Sequence, residues 1–258
     1  MYKRQHVYCT EDQLEAEIGD MLDMTHAIYG AVGFSDVKTR LATRPENAMG
    51  DPEAWARAEK ALGAALDKHG FAGWTLAPGE GAFYGPKIEV HVTDAIGRSW
   101  QCGTVQVDFS MPERFGLEYT GSDGQKHTPV MIHRAILGSM ERFVGILIEH
   151  YAGKVPLRLA PVQAKVLSIT EKQADYAEEV ARRLQAAGVR AEADVRGDKV
   201  GSKVRDATLE RVNYMLVVGG REAESGNVDV RTRAGERLGA MTVDAFTEQA
   251  MGEIRART

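Results

Sequence analysis

Two cysteines in 258 residues, Cys9 and Cys102, are too few for a disulfide framework and suit a reducing cytosol. No run approaches the ~18 apolar residues of a membrane span, which excludes a transmembrane helix. The opening Met1-Tyr-Lys-Arg-Gln-His lacks the apolar stretch of a signal peptide. With 27 glycines and 8 prolines the chain is neither fibrous nor disordered. Internal repeats and low-complexity segments are missing too. What is present, 43% hydrophobic and 27% charged residues with a formal net charge of −5, is the balance of a soluble α/β protein.

The charge is uneven. Up to Val155 there are 15 Lys and Arg against 21 Asp and Glu, and from Pro156 there are 17 against 16. A boundary is expected near Pro156–Pro161, giving domains at 1–155 and 156–258. Net acidity does not exclude nucleic acid, because basic groups need only converge on one face.

Periodicity supplies the elements. Thr10-Glu11-Asp12-Gln13 has the form of a capping box, and Leu14, Ile18, Met21, Leu22 and Ile28 follow at helical spacing. Gly30 and Gly33 are expected to stop that helix. Val37–Thr43 reads as a strand, and 52–68 as a helix ended by Gly70. The glycine-rich loop Gly79–Lys87 leads into alternating strands at 87–93 and 100–109, a hairpin with one buried face. Residues 110–128 look like polar loop. The apolar stripe from Ile136 to Tyr151 predicts one helix over 132–151. Beyond it, strands near 164–169, 189–195 and 215–218 alternate with helices near 171–187 and 201–211. A hairpin and a helix over 242–257 close the chain. That alternation predicts a three-layer unit with parallel strands.

Several polar residues stand out against these patterns. Arg142 lies on a glycine-bearing stripe with Gly138 and Gly145, so it faces an anion or a ring, or else pairs with an acid in ordinary packing. Strict alternation puts Cys102, Thr104 and Gln106 on one face and Gln101 on the other, unless a bulge at Gly103 brings Gln101 round. These side chains line a pocket or face water on an edge strand. Tyr84 and Lys87 could sit at a strand mouth, but the loop does not match a phosphate-binding glycine loop and reads more readily as a plain turn. His6 and His133 are 127 positions apart, and neither alone argues for a metal.

Taken together, the segments resemble threonyl-tRNA synthetases, which are class II aminoacyl-tRNA synthetases. Ile132-His-Arg-Ala-Ile-Leu-Gly-Ser-Met-Glu-Arg-Phe143 looks like motif 3. Gly81–Lys87 followed by Gln101-Cys-Gly-Thr-Val-Gln-Val-Asp-Phe109 resembles the catalytic core. Thr43-Arg-Pro-Glu46 and His6-Val-Tyr-Cys-Thr10 fit as well, and the part from Ala160-Pro-Val-Gln163 onward is similar to the anticodon-binding domain. The resemblance implies an antiparallel-sheet catalytic core followed by an α/β/α anticodon-binding domain. It also implies ATP-dependent activation of L-threonine and its transfer to tRNA(Thr), with Mg²⁺-bound ATP as substrate.

Carried over residue by residue, His6 and His133 are expected zinc ligands and Tyr84 and Gln106 line the threonine site. Gln101, Thr104, Ser139 and Arg142 face ATP, with Arg142 against adenine and Lys87 adding positive charge at the reacting groups. Arg205, Glu222 and Arg231 are expected to read anticodon bases; Gly197 stands where the family often has asparagine. The family is a cytoplasmic homodimer. Its third zinc ligand (a cysteine), motif 1 and motif 2 precede His6, so the sequence reads as a C-terminal part, expected to be inactive in aminoacylation by itself. The competing readings are a non-catalytic anticodon-binding module and a synthetase-like regulatory protein.

Overall fold

The computed structural model describes residues 4–69 and 73–256, and the chain divides into two compact units, Met1–His150 and Tyr151–Thr258. The first runs through β1 (Arg4–Cys9), α1 (Leu14–Ala31), β2 (Val37–Ala42), α2 (Pro52–Lys68), β3 (Thr75–Ala77), β4 (Lys87–Thr93) and β5 (Ser99–Asp108). It continues with α3 (Ser110–Arg114), β6 (Tyr119–Thr120), β7 (Lys126–His127), β8 (Val130–Ala135) and α4 (Met140–His150). Six strands form one sheet in the order β1-β8-β5-β4-β2-β3, antiparallel except for the β2–β3 pair.

The helices start where their caps are. The Gln13 side chain accepts the Thr10 N–H at 3.0 Å, closing the capping box ahead of α1. Asp51 accepts the N–H groups of Glu53 and Ala54 at 3.2 Å, and Pro52 takes the first helical position of α2. Gly70, expected to stop α2, lies outside the described residues. Ile18 and Leu22 of α1, Leu62 and Leu66 of α2, and Phe143 and Ile146 of α4 share one buried cluster with Ile88, Val90, Val105 and Val107 of the sheet. One sheet face is therefore covered by helices. Alternation turns Lys87, Glu89, Thr104 and Gln106 to the opposite face.

Two expectations are corrected here. The helix expected over 132–151 is split: 130–135 is a strand paired on both sides, and only 140–150 is helical. An apolar run this short carries no usable period, and Gly138, at φ +57°, turns the chain between the two. Its Cβ position lies 2.8 Å from the Cys102 carbonyl oxygen, so the turn is packed onto β5 with room for glycine alone. Residues 110–128, expected to be loop, contain α3 and the β6–β7 hairpin.

The second unit contains β9 (Ala164–Ser168), α5 (Ala174–Ala186), β10 (Ala191–Asp194), α6 (Val200–Leu209), β11 (Tyr214–Val218), α7 (Gly220–Ser225), β12 (Asn227–Thr232), β13 (Arg237–Thr242) and α8 (Val243–Ala256). Its sheet runs β10-β9-β11-β12-β13, with the first three strands parallel and the last two an antiparallel hairpin. Val166 and Leu216 point toward Val180 of α5 and Phe246 of α8; Leu167 and Met215 point toward Ala207 of α6. The expected three layers are present. Fully buried Lys203 donates to the carbonyls of Ser168 (2.8 Å) and Asp194 (3.2 Å), tying α6 to the ends of β9 and β10. Arg257, the expected end of the last helix, lies outside the described residues. Among the described residues no helix is long and apolar enough to cross a membrane.

Candidate active site

Strand register assembles a rank of side chains across the open sheet face. His6 pairs with His133, His133 with Gln106, and Gln106 with Lys87. One pleat along, Ala135, Thr104, Glu89 and Arg40 form a parallel rank. Residues more than a hundred positions apart thus share one surface because four strands meet in register. His6, Tyr84, Thr104, Gln106 and His133 all line one cavity of about 230 Å³.

The local geometry is polar. The His6 and His133 rings meet edge to face, centroids 4.8 Å apart. His133 Nε2 lies 2.8 Å from the fully buried Asp108 carboxylate, which also accepts the N–H groups of Ser110 and Met111. The Tyr84 hydroxyl donates to Gln106 Oε1 at 3.1 Å, and Gln106 Nε2 donates to the Gly85 carbonyl at 3.2 Å. Gly85 is tightly placed: a Cβ there would sit 1.8 Å from the Val107 carbonyl oxygen. The glycine-rich loop is thereby laid against the end of β5.

Lys87 Nζ is 2.9 Å and His91 Nε2 3.0 Å from the buried carboxylate of Glu89, with Arg40 at 3.7 Å. Burial pushes the Glu89 carboxyl up, and the hydrogen bonds from Lys87 and His91 outweigh it, leaving the carboxyl below its ordinary value.

The register slips between Val90 and His91, so that Cys102 is the extra residue of a bulge. Gln101 is brought round to Thr104, donating to its hydroxyl at 2.9 Å. The bulge is centred one residue before the expected Gly103. Arg142, in the first turn of α4, reaches back over this bulge. Its guanidinium carbon lies 5.1 Å from the centroid of the Trp100 ring, and Nη1 is 3.5 Å from the Gln101 carbonyl oxygen. Ser139 Oγ lies 3.4 Å from the Arg142 backbone nitrogen, from which it accepts, and 2.5 Å from Glu141 Oε2. Burial pushes the Cys102 thiol up, against the opposing pull of the Arg142 charge.

In the second unit a cavity of about 520 Å³ is lined by residues that include Glu222, Asp229, Arg231 and Arg237. Asp229 pairs with Arg237 at 3.0 Å and Arg231 at 3.6 Å. Arg231 Nε is buried without a hydrogen-bond partner. Glu222 accepts the Gly219 N–H at 3.0 Å, capping α7. Arg205 is exposed on α6, outside the residues lining this cavity.

Sequence reasoning missed Asp108, Glu89, Trp100 and Asp229. Asp108 follows Thr104 and Gln106 at the same alternation, a usable signal. Glu89 alternates with Lys87 in the same way, whereas Trp100 and Asp229 gave none beyond residue type.

The imidazoles of His6 and His133, one with a carboxylate on its far nitrogen, are donors that suit zinc. Among the described residues no group of three metal-ligating side chains comes together.

The sequence model of the tRNA synthetase class II core domain (G, H, P, S and T) matches residues 2–151, and that of the anticodon binding domain matches 158–250. The threonine--tRNA ligase of Dechloromonas aromatica (strain RCB) is 55% identical over 253 residues, which are 98% of this chain and 40% of that protein. The threonine--tRNA ligase of Legionella pneumophila (strain Corby) is 54% identical, over 96% of this chain and 39% of its own. The crystal structure of the RNA binding domain of threonyl-tRNA synthetase from Cryptosporidium parvum Iowa II superposes with a TM-score of 0.90 at 41% identity, over 97% of this chain and 63% of that one. The chain spans about 40% of the length of the curated relatives it matches. With a six-stranded, mostly antiparallel core and an α/β/α unit carrying these matches, the chain belongs to the class II tRNA synthetases.

Proposed function

We propose that this chain carries part of the threonine-activating site and the anticodon-binding domain of a threonine--tRNA ligase. The observation that carries the reading is the rank His6, His133, Gln106 and Lys87 on one sheet face, with Tyr84 bonded to Gln106. Residues 1–155 form the catalytic part and 156–258 the anticodon-binding part. The reaction joins threonine to ATP, releasing pyrophosphate, and passes the threonyl group to the terminal ribose of tRNA(Thr). The partners are tRNA(Thr), threonine, ATP with Mg²⁺ and a second subunit, in the cytoplasm.

Each group has a physical role in that scheme. Gln106 and Tyr84 present an amide and a hydroxyl to the polar end of threonine. Lys87, held at the edge of this rank by Glu89, supplies positive charge where the carboxylate meets the α-phosphate. Gln101 and Thr104, bonded to each other, offer hydrogen bonds to the nucleotide, and Arg142 meets its base. His6 and His133 would hold zinc, which supplies a Lewis-acid seat for an amine and a hydroxyl. A site that binds the hydroxyl rejects valine far better than an apolar pocket can, because valine leaves polar groups unpaired. In the second unit Arg231 and Glu222 bring donor and acceptor groups to unstacked bases.

The test is titration of the chain with a non-hydrolysable threonyl-adenylate analogue and its valyl counterpart. Tighter threonyl binding, weakened by Gln106→Ala, is expected. Equal binding of the two, or none, with tRNA binding intact would leave the anticodon-binding module as the function.

A further inference from the structure

The β4–β5 turn contains a buried carboxylate that the activation chemistry does not use. Asp94 accepts the Arg98 N–H at 2.8 Å and Nε–H at 2.6 Å, the Ile96 N–H at 3.1 Å and the Trp100 indole N–H at 2.9 Å. Its side chain has no exposed surface. The acceptors of this one group therefore fix the turn and also the rotation of the Trp100 ring. Arg98 and Arg142 both lie against that ring, at 5.3 and 5.1 Å from its centroid. The two cations differ in what else holds them. Arg98 is ion-paired to Asp94, whereas among the described residues Arg142 has no carboxylate within ion-pair distance. The indole face and a long contact to the Gln101 carbonyl hold the Arg142 guanidinium.

We propose that Trp100, locked by Asp94, is a positioning residue that holds the Arg142 guanidinium ready for the purine of the nucleotide. The electron-rich face of the indole attracts the cation without neutralising it. A carboxylate in the same place would hold Arg142 more firmly and cancel the charge that draws an anionic nucleotide. The inference rests on the nucleotide role of Arg142 proposed above. Trp100 acts only through Arg142, so removing both side chains costs no more than removing Arg142.

The experiment is calorimetric titration of the 258-residue chain with MgATP, for the unsubstituted protein, Arg142→Ala, Trp100→Leu, Trp100→Tyr, Asp94→Asn and the double variant Trp100→Leu/Arg142→Ala. Trp100→Leu is expected to weaken binding about threefold to thirtyfold, the range of a cation–ring contact. Trp100→Tyr restores most of it, and the double variant matches Arg142→Ala. The Arg142 Nε–H resonance, shifted by the indole ring current, moves to an ordinary position in Trp100→Leu, a change that general loosening does not make. If Trp100→Leu fails to fold, Asp94→Asn carries the test and must weaken MgATP binding. Unchanged affinity in whichever of these two variants is read, or a double variant that loses the product of the two single losses, overturns the proposal. Absence of MgATP binding, or full binding by Arg142→Ala, removes instead the nucleotide reading beneath it.

Discussion

Glu89 stays ionised in a buried position because Lys87 and His91, with Arg40 a little farther off, stay beside it. Its carboxyl binds a proton less readily in the folded chain than in the unfolded one. Its contribution to stability is therefore full above the ordinary glutamate value of about 4.3 and lost as pH falls below that. The melting temperature should drop more steeply between pH 5 and pH 3 (roughly one pH unit either side of that value) for the native chain than for Glu89→Gln. Equal acid limbs in the two melting series would show that Glu89 is not the group responsible. Asp108 makes a second case at this scale. An amide keeps an acceptor for the Ser110 and Met111 N–H groups but loses the charge facing His133. On the proposed zinc role of His6 and His133, Asp108→Asn should leave the fold intact and lower zinc affinity about 10- to 100-fold, read by competition with a chromophoric chelator. Asp108 was missed although it is the third member of an alternating polar series, and His133 was singled out by the resemblance alone; that the two pair was not legible, because pairing across strands leaves no mark in linear spacing.

The elements show where pattern suffices and where it fails. α2 was read at its observed bounds because Trp55, Ala58, Leu62 and Leu66 make a regular apolar face, and the cap at Asp51 begins the helix where that face begins. Residues 132–135 were misread because the helical stripe that starts at Ile136 was extended back over them, while β8, paired on both sides and largely buried, shows no alternation of its own. The turn between β8 and α4 depends on Gly138 alone. Gly138→Ala forces a side chain into the left-handed region and against the Cys102 carbonyl. It should destabilise the first unit by about 1–3 kcal/mol in chemical denaturation. It should also displace Arg142 from Trp100, read in the indole fluorescence. A variant as stable as the parent would mean that the β5 bulge yields without cost.

The whole molecule joins a sheet face with a net-acidic sequence around it to a second unit with its own core and a slightly basic balance. tRNA affinity should fall steeply with salt, since phosphate contacts release counterions. Arg231 has its Nε buried without a partner and Asp229 beside its guanidinium, and in the proposed function it meets a base edge. Arg231→Ala should weaken threonine-type anticodons selectively and leave the salt slope nearly unchanged in filter binding. Equal loss for all tRNAs with a slope reduced by about one unit would make it a phosphate contact. Arg205, exposed on α6 and expected to read a base as well, should show the same selective loss in the same assay; equal loss for all tRNAs would make it a phosphate contact.

Local chemistry determined much of this protein. Caps, glycine stops and alternation placed most helices and strands, and the motif residues pointed to the class II core. Such features act over a few residues, within reach of a single turn or pleat. Tertiary structure decided what depends on register between distant strands. It aligned His6 with His133, Gln106 and Lys87, placed Asp108 behind His133, and used a one-residue bulge to turn Gln101 toward Thr104. Those contacts arise from backbone pairing across up to 127 positions of sequence, which local spacing cannot encode.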